Sequence, residues 1–186
     1  MDRVTLDDVR AAAQELDGVI IRTPVQAFRA MSELAGVPVV LKCENLQRAG
    51  SFKIRGAYTR LSRMPDEEKA RGVVAASAGN HAQGVALAAQ MLGIHAIVYM
   101  PVDASVPKHA ATRGYGAEVH LVGETIDGSI AAAIEFAERT GAVFVHPFDH
   151  PDVIAGQGTV GLELGTDAPD VTDVLVSIGG GGLIAG

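Results

Sequence analysis

The sequence predicts an α/β protein built around a parallel sheet with helices on both faces. Three observations carry that expectation. Short Val-rich apolar runs recur along the chain, amphipathic helical patterns separate them, and glycines stand where several of those patterns stop.

In chain order, "TLDDVRAAAQEL" is a helix with Thr5 as its cap, and "VPVVLKC" (37–43) is the first candidate strand. The loop "CENLQRAGSFKIRGA" (43–57) ends in Gly50 and Ser51, which introduce a helix, and the polar turn "MPDEEKARG" (64–72) starts or connects helices. Strand "GVVAAS" (72–77) then alternates with helix "HAQGVALAAQML", stopped at Gly93. Strand "HAIVYM" (95–100) leads to helix "VPKHAATRGY", and strand "AEVHLV" (117–122) to helix "TIDGSIAAAIEFAERT", stopped at Gly141. Strand "AVFVHP" (142–147), helix "PDVIAGQGTVGLEL" stopped at Gly165, and strand "DVLVSI" (173–178) complete the pattern. No internal repeat or low-complexity linker interrupts it.

At 186 residues, 48% of them apolar, the chain can bury a substantial core. A net charge of −7, with no Trp and only three Tyr, argues against a nucleic-acid partner and for a small-molecule ligand. No apolar run reaches the roughly 18 residues of a membrane helix, so no membrane partner is expected. The acidic start "MDRVTLDDVR" lacks the basic and apolar regions of a signal peptide, which implies a cytoplasmic address. The single cysteine, Cys43, has no disulfide partner and reads as a buried, inert strand residue.

In parallel α/β sheets ligands bind beyond the carboxyl ends of the strands, so function is sought in the loops that follow them. The first such loop puts Lys53 in the opening turn of a helix, where the dipole disfavours a cation and lowers the amine's pKa. That suits a nucleophile or Schiff-base former; the alternative is a solvated lysine. The second, "SAGNHAQG" (77–84), brings Ser77, Gly79, Asn80 and free backbone amides to one mouth, a seat for an anion. Its alternative is a helix capped by Asn80 with His81 on the surface.

The third loop, "SIGGGGLIAG" (177–186), runs from a strand through Gly179, Gly180, Gly181 and Gly182 into a helix start, the pattern of a phosphate cradle. Residues 180–185 also fit G-x-G-x-x-A, although the acidic residue that a dinucleotide site requires about 20 positions on would lie beyond residue 186. A tight turn without ligand is the alternative. A lysine suited to imine chemistry, an anion seat and a phosphate cradle, each after a strand, together describe a site for pyridoxal phosphate and an amino acid.

The motifs "ENLQRAGSFKIRGA", "SAGNHAQGVALAAQMLG", "VIAGQGTVGLEL" and "IGGGGLIAG" resemble, in order and spacing, the serine/threonine dehydratase family of fold type II pyridoxal-phosphate enzymes. The resemblance implies a two-lobed, tryptophan synthase β-like α/β fold. Residues 50–150 would form the smaller lobe, and residues 1–49 with 151–186 the first part of a larger lobe left incomplete at its C-terminus. It implies that Lys53 bears the cofactor, that Phe52 packs beside its ring, that Asn80 bonds the ring's phenolic oxygen, and that Gly179 to Gly182 with Leu183 hold its phosphate. The substrate carboxylate would be received by the segment Ser77, Ala78, Gly79, Asn80 and His81.

Serine racemases, near relatives, carry a second serine where this sequence has Ala78; a methyl cannot act as acid or base, which favours elimination over racemisation. The implied reaction is conversion of L-threonine to 2-oxobutanoate and ammonia, and of L-serine to pyruvate, in isoleucine biosynthesis or threonine catabolism, by a homo-oligomer (dimer or tetramer) in the full-length form. Competing readings are a fragment that binds the cofactor without turnover, a racemase-like isomerase, and a Rossmann-type nucleotide binder. No metal is expected: His146 and His150 are four apart, but Pro147 precludes a regular helix between them. Glu44 and Arg55 read as a structural ion pair.

Overall fold

The computed structural model describes residues 3–186. Met1 and Asp2, which open the segment assigned to the larger lobe, lie outside the described residues. The chain order is α1 (Leu6–Glu15), β1 (Val25–Ala27), α2 (Arg29–Ala35), β2 (Val40–Lys42), α3 (Lys53–Ser62), α4 (Asp66–Arg71), β3 (Val73–Ala76), α5 (Asn80–Leu92), β4 (Ala96–Met100), α6 (Val106–Gly114), β5 (Glu118–Leu121), α7 (Ile126–Thr140), β6 (Val143–Phe144), α8 (Pro151–Asp167) and α9 (Gly182–Ala185).

The main sheet has the order β5-β4-β3-β6, with every pairing parallel. Its two central strands are buried on both faces, as the continuous apolar runs "VVAA" and "AIVYM" require. Because side chains alternate along a strand, Val73, Ala75, Val98 and Met100 pack with α3 and α5 on one face. Val74, Ala76, Ile97 and Tyr99 pack under Ala133 and Phe136 of α7 on the other. Local chemistry sets the helix ends. The Thr5 hydroxyl accepts from Asp8 N–H at 3.3 Å while the Asp8 carboxylate accepts from Thr5 N–H at 2.8 Å, a reciprocal cap on α1. Gly93 and Gly141 close α5 and α7 in the left-handed region.

Five expectations need correction. The run 37–43 is not a strand of the parallel sheet. Only Val40–Lys42 is extended, and it pairs antiparallel with β1, because the short α2 and Gly36 at φ 72° turn the chain back. Cys43 is buried as expected but lies just past that strand, at the start of a 3₁₀ turn. Segment 173–178 forms no strand: a strand needs a neighbour for its backbone groups, and among the described residues none pairs with it. Finally, α8 passes through Gly165 to Asp167, whose carboxylate is held by Arg22 and Lys42. In β6 the expected strand 142–147 is shorter, ending on the bond from Val145 N–H to Val74 O, just before Pro147, which has no N–H to give.

Helices α3 and α8 carry the rest of the site's framework. Their backbones meet at Gly56 and Gly156, where a Cβ on Gly156 would lie 2.6 Å from Gly56 Cα and 2.7 Å from Arg55 O. Only glycine permits that approach.

Candidate active site

Lys53 is the first residue of α3, with Phe52 as its N-cap and no side-chain cap. Its Nζ donates to Pro147 O at 2.7 Å and stands 5.4 Å from the Phe52 ring centroid. Burial pulls the amine below the usual lysine pKa, the direction expected from its place in the sequence. Among the described residues no carboxylate pairs with Lys53. Helix α5 crosses close behind it: a Cβ at Gly84 would lie 3.0 Å from Lys53 C and 3.1 Å from Lys53 Cβ. A larger residue there would displace the lysine.

The loop Ser77–His81 follows β3 into α5. Gly79, not Asn80, is the N-cap, and it supplies no side-chain oxygen. Among the described residues the first-turn amides of Asn80, His81 and Ala82 therefore donate to no backbone carbonyl, so the N-terminus of α5 is open to an anion. The Ser77 hydroxyl accepts from Gly79 N–H at 3.1 Å, leaving its own proton free to donate. Asn80 is exposed at the mouth of the loop.

His81 departs from the sequence reading that put it on the surface. Its imidazole is buried and bonded through Nε2 to Val145 O at 3.0 Å. Burial pushes its pKa down to about 4, and the nearby Lys53 charge adds to the lowering. A pKa that low favours the neutral imidazole inside the fold near pH 7.

The glycine run ends in the four-residue α9, with Gly181 at φ 91° as its N-cap. A side chain at Gly180 would run into the Phe148 ring, and one at Gly182 would meet Phe148 Cβ and O at 2.9 Å. At Gly179 and Gly181 it would meet only open space. Among the described residues the amides of Gly179 through Leu183 donate to no backbone carbonyl. The tight packing on Phe148 explains two of the glycines; the open space and free amides remain for a ligand.

Pro147 and Phe148, which the sequence reading does not place in the site, join these parts. Both line a cleft of about 480 Å³ whose other walls are Ala76 to Gly79, Lys108, Ile126 and Ile130. Pro147 holds Lys53, and Phe148 seats the glycine run. The signal for them was available: they follow β6, and a search of every strand's carboxyl end reaches them. A second cavity of about 270 Å³, between α1 and α8, contains none of the expected site residues.

Behind Lys53 lies an ionic framework. Arg55 is fully buried, and its Nη2 donates to Glu44 at 2.8 Å and its Nη1 to Glu163 at 2.7 Å. Burial alone would depress the guanidinium pKa, but the two carboxylates outweigh it and hold it above the usual arginine value. Lys42 continues the framework from Glu163 to Asp167. The expected Glu44–Arg55 pair is present, extended by Glu163, which sequence spacing does not reveal. His146 and His150 each use Nδ1 to accept backbone amides, His146 from Asp149 at 2.8 Å and His150 from Asp152 at 3.2 Å.

A family model described as "Pyridoxal-phosphate dependent enzyme" matches residues 16–186. The chain is 54% identical over 183 residues to L-threonine ammonia-lyase of Thermotoga maritima, an alignment covering 98% of this chain and 46% of that protein. Among solved structures, maize serine racemase superposes with a TM-score of 0.94 at 37% identity, covering 98% of this chain and 56% of the other. The processed form of threonine deaminase isoform 2 from Solanum lycopersicum gives 0.89 at 40% identity, covering 98% and 52%. The chain thus spans about half the length of the proteins it matches. With the lysine, the uncapped α5 and the glycine turn all present in the matched stretch, the chain belongs to the pyridoxal-phosphate dependent enzymes, with their fold type II α/β architecture.

Proposed function

We propose that this chain carries the lysine-bearing part of a threonine ammonia-lyase that converts L-threonine to 2-oxobutanoate and ammonia and accepts L-serine. The observation that carries the reading is the Lys53 amine: partly desolvated, without an acidic partner among the described residues, and bonded to the carbonyl of Pro147, a residue that lines a cleft together with Ser77 to Gly79. The residues present fit pyridoxal phosphate, since a part-buried amine whose pKa is lowered by desolvation suits an aldehyde, and the free amides and open space at Gly179 and Gly181 suit a phosphate. When bound, that cofactor supplies an electron sink for bonds at the substrate's α-carbon.

The chain's own residues divide the remaining work. Ser77 and the α5 amides bind and orient the carboxylate, Phe52 and Phe148 exclude water from the lysine, and Lys53 Nζ takes the proton from the α-carbon. Asn80, at the mouth of the loop, serves the ring oxygen, and Gly179 to Gly182 with Leu183 serve the phosphate. Ala78 offers no group to return a proton to the opposite face, so elimination is favoured over the isomerase reading that the likeness to maize serine racemase brings in.

The proposal includes residues 50–150 as a smaller lobe, residues 1–49 and 151–186 as part of a larger one, a homo-oligomeric full-length form and a cytoplasmic address. Among the described residues no helix is long and apolar enough to cross a membrane. The test is ketoacid release from L-threonine and L-serine by the protein supplied with pyridoxal phosphate, with chiral analysis of recovered serine. Ketoacid without D-serine supports the lyase; D-serine without ketoacid replaces it with the isomerase.

A further inference from the structure

Three separate parts of the site meet on one turn, residues 146–149. Pro147 O accepts from Lys53 Nζ at 2.7 Å on α3, the Phe148 ring fills the space that side chains at Gly180 and Gly182 would need, and both residues line the cleft opposite Ser77 to Gly79. The turn belongs to no helix or strand, so something other than a ladder of backbone bonds must fix it. His146 does so from its first position. Its Nδ1 accepts from Asp149 N–H at 2.8 Å and from Phe148 N–H at 3.4 Å, and its ring stands edge-on to Phe148 at 4.6 Å between centroids, with Phe144 on its other side at 6.2 Å.

The geometry points to His146 as the positioning residue of the site: through Nδ1 it folds the turn that presents the Pro147 carbonyl to the Lys53 amine and the Phe148 ring to the glycine run. The inference rests on Lys53 being the reactive amine. An accepting Nδ1 is unprotonated, so the ring's proton resides on Nε2. The charged and titratable groups around the imidazole are Lys53 on α3, His81 on α5, and Asp149 and His150 on its own segment. A proton on Nδ1 would set a donor against two donors and open the turn.

The chemistry required at position 146 is an acceptor one bond beyond Cγ. Asparagine supplies one at the same place, as in an Asx-turn. Glutamine places its oxygen one bond further out, and leucine has none. The experiment measures the pH midpoint for modification of Lys53 by an amine-reactive reagent, located by peptide mass, on the full chain without cofactor, together with the thermal midpoint. The expected result is that His146→Leu raises the Lys53 midpoint by about one pH unit, a tenfold change in proton affinity, as the amine loses its enclosed position. His146→Asn should restore the wild-type midpoint while its thermal midpoint stays with that of the leucine variant. His146→Gln, which keeps a polar side chain but misplaces the acceptor, should behave as leucine and serves if the leucine variant does not fold.

The inference is overturned if leucine and glutamine leave the Lys53 midpoint unchanged, or if asparagine shifts it as they do. Failure of the functional reading is separate: it would show as cofactor absorbance retained by Lys53→Ala, whereas the coupling of His146 to Lys53 is read without cofactor.

Discussion

The central sheet and the segments outside it treat the same kind of side chain in opposite ways. In β3 and β4 every residue is buried, because α5 covers one face and α7 the other. In residues 25–46 and 171–186 comparable apolar residues face outward: Leu34 is 82% exposed and Leu175 100%. An apolar run is therefore only an offer of burial, and becomes structure when a partner accepts it. The site sits at the boundary, with Lys53 and Ser77 anchored to the covered region and the glycine run reaching it from the uncovered one.

Substitutions should separate the two regions by the size of their effects. The largest loss is expected from Arg55→Met, which removes the cation that Glu44 and Glu163 share and leaves Glu163 with Lys42 alone; about 3–5 kcal/mol is typical when one partner of a buried charge set is removed. Denaturant unfolding measures it. Acid should act nearly as strongly through His81. Its folded-state pKa of about 4 lies below the ordinary 6.5, so the unfolded chain takes up the proton first as pH falls. The stabilisation is complete above pH 6.5 and declines down to about pH 4, by on the order of 3 kcal/mol; His81→Gln should flatten that part of the stability–pH curve.

A third effect, smaller again, belongs to the crossing of α3 and α8. Gly156→Ala forces a methyl against Gly56 Cα and Arg55 O, with an expected cost of about 1–3 kcal/mol by thermal unfolding. The smallest is expected outside the sheet, where Leu175→Ser removes a fully exposed side chain; stability should stay within about 0.5 kcal/mol, while light scattering at high concentration should fall. If Leu175→Ser instead cost as much as Gly156→Ala, the contrast between the regions would be wrong.

The same contrast explains what was legible in the sequence. The covered strands could be read from composition, and the helix limits at Thr5, Gly93 and Gly141 from local chemistry, since each depends on neighbours within a few residues. The loops carrying Lys53, Ser77 and Gly179 could be found because they follow apolar runs. What could not be read are facts set by distant contacts. Arg55 meets Glu163 across 108 positions, Lys53 is desolvated and held by Pro147 across 94, and His81 turns inward to Val145. Segment 173–178 was misjudged for the converse reason: its composition is that of a strand, but among the described residues it has no partner.

The account centres on Lys53 as the amine that holds the cofactor and moves the α-proton. Its most direct test is the visible absorbance of the protein mixed with pyridoxal phosphate, followed by ketoacid release from L-threonine, for the wild-type chain and Lys53→Ala. The expected result is a visible band in the wild type that Lys53→Ala lacks, with turnover reduced at least about a thousandfold, within the range for a proton-transfer residue. A Lys53→Ala protein that kept the band or the turnover would contradict it.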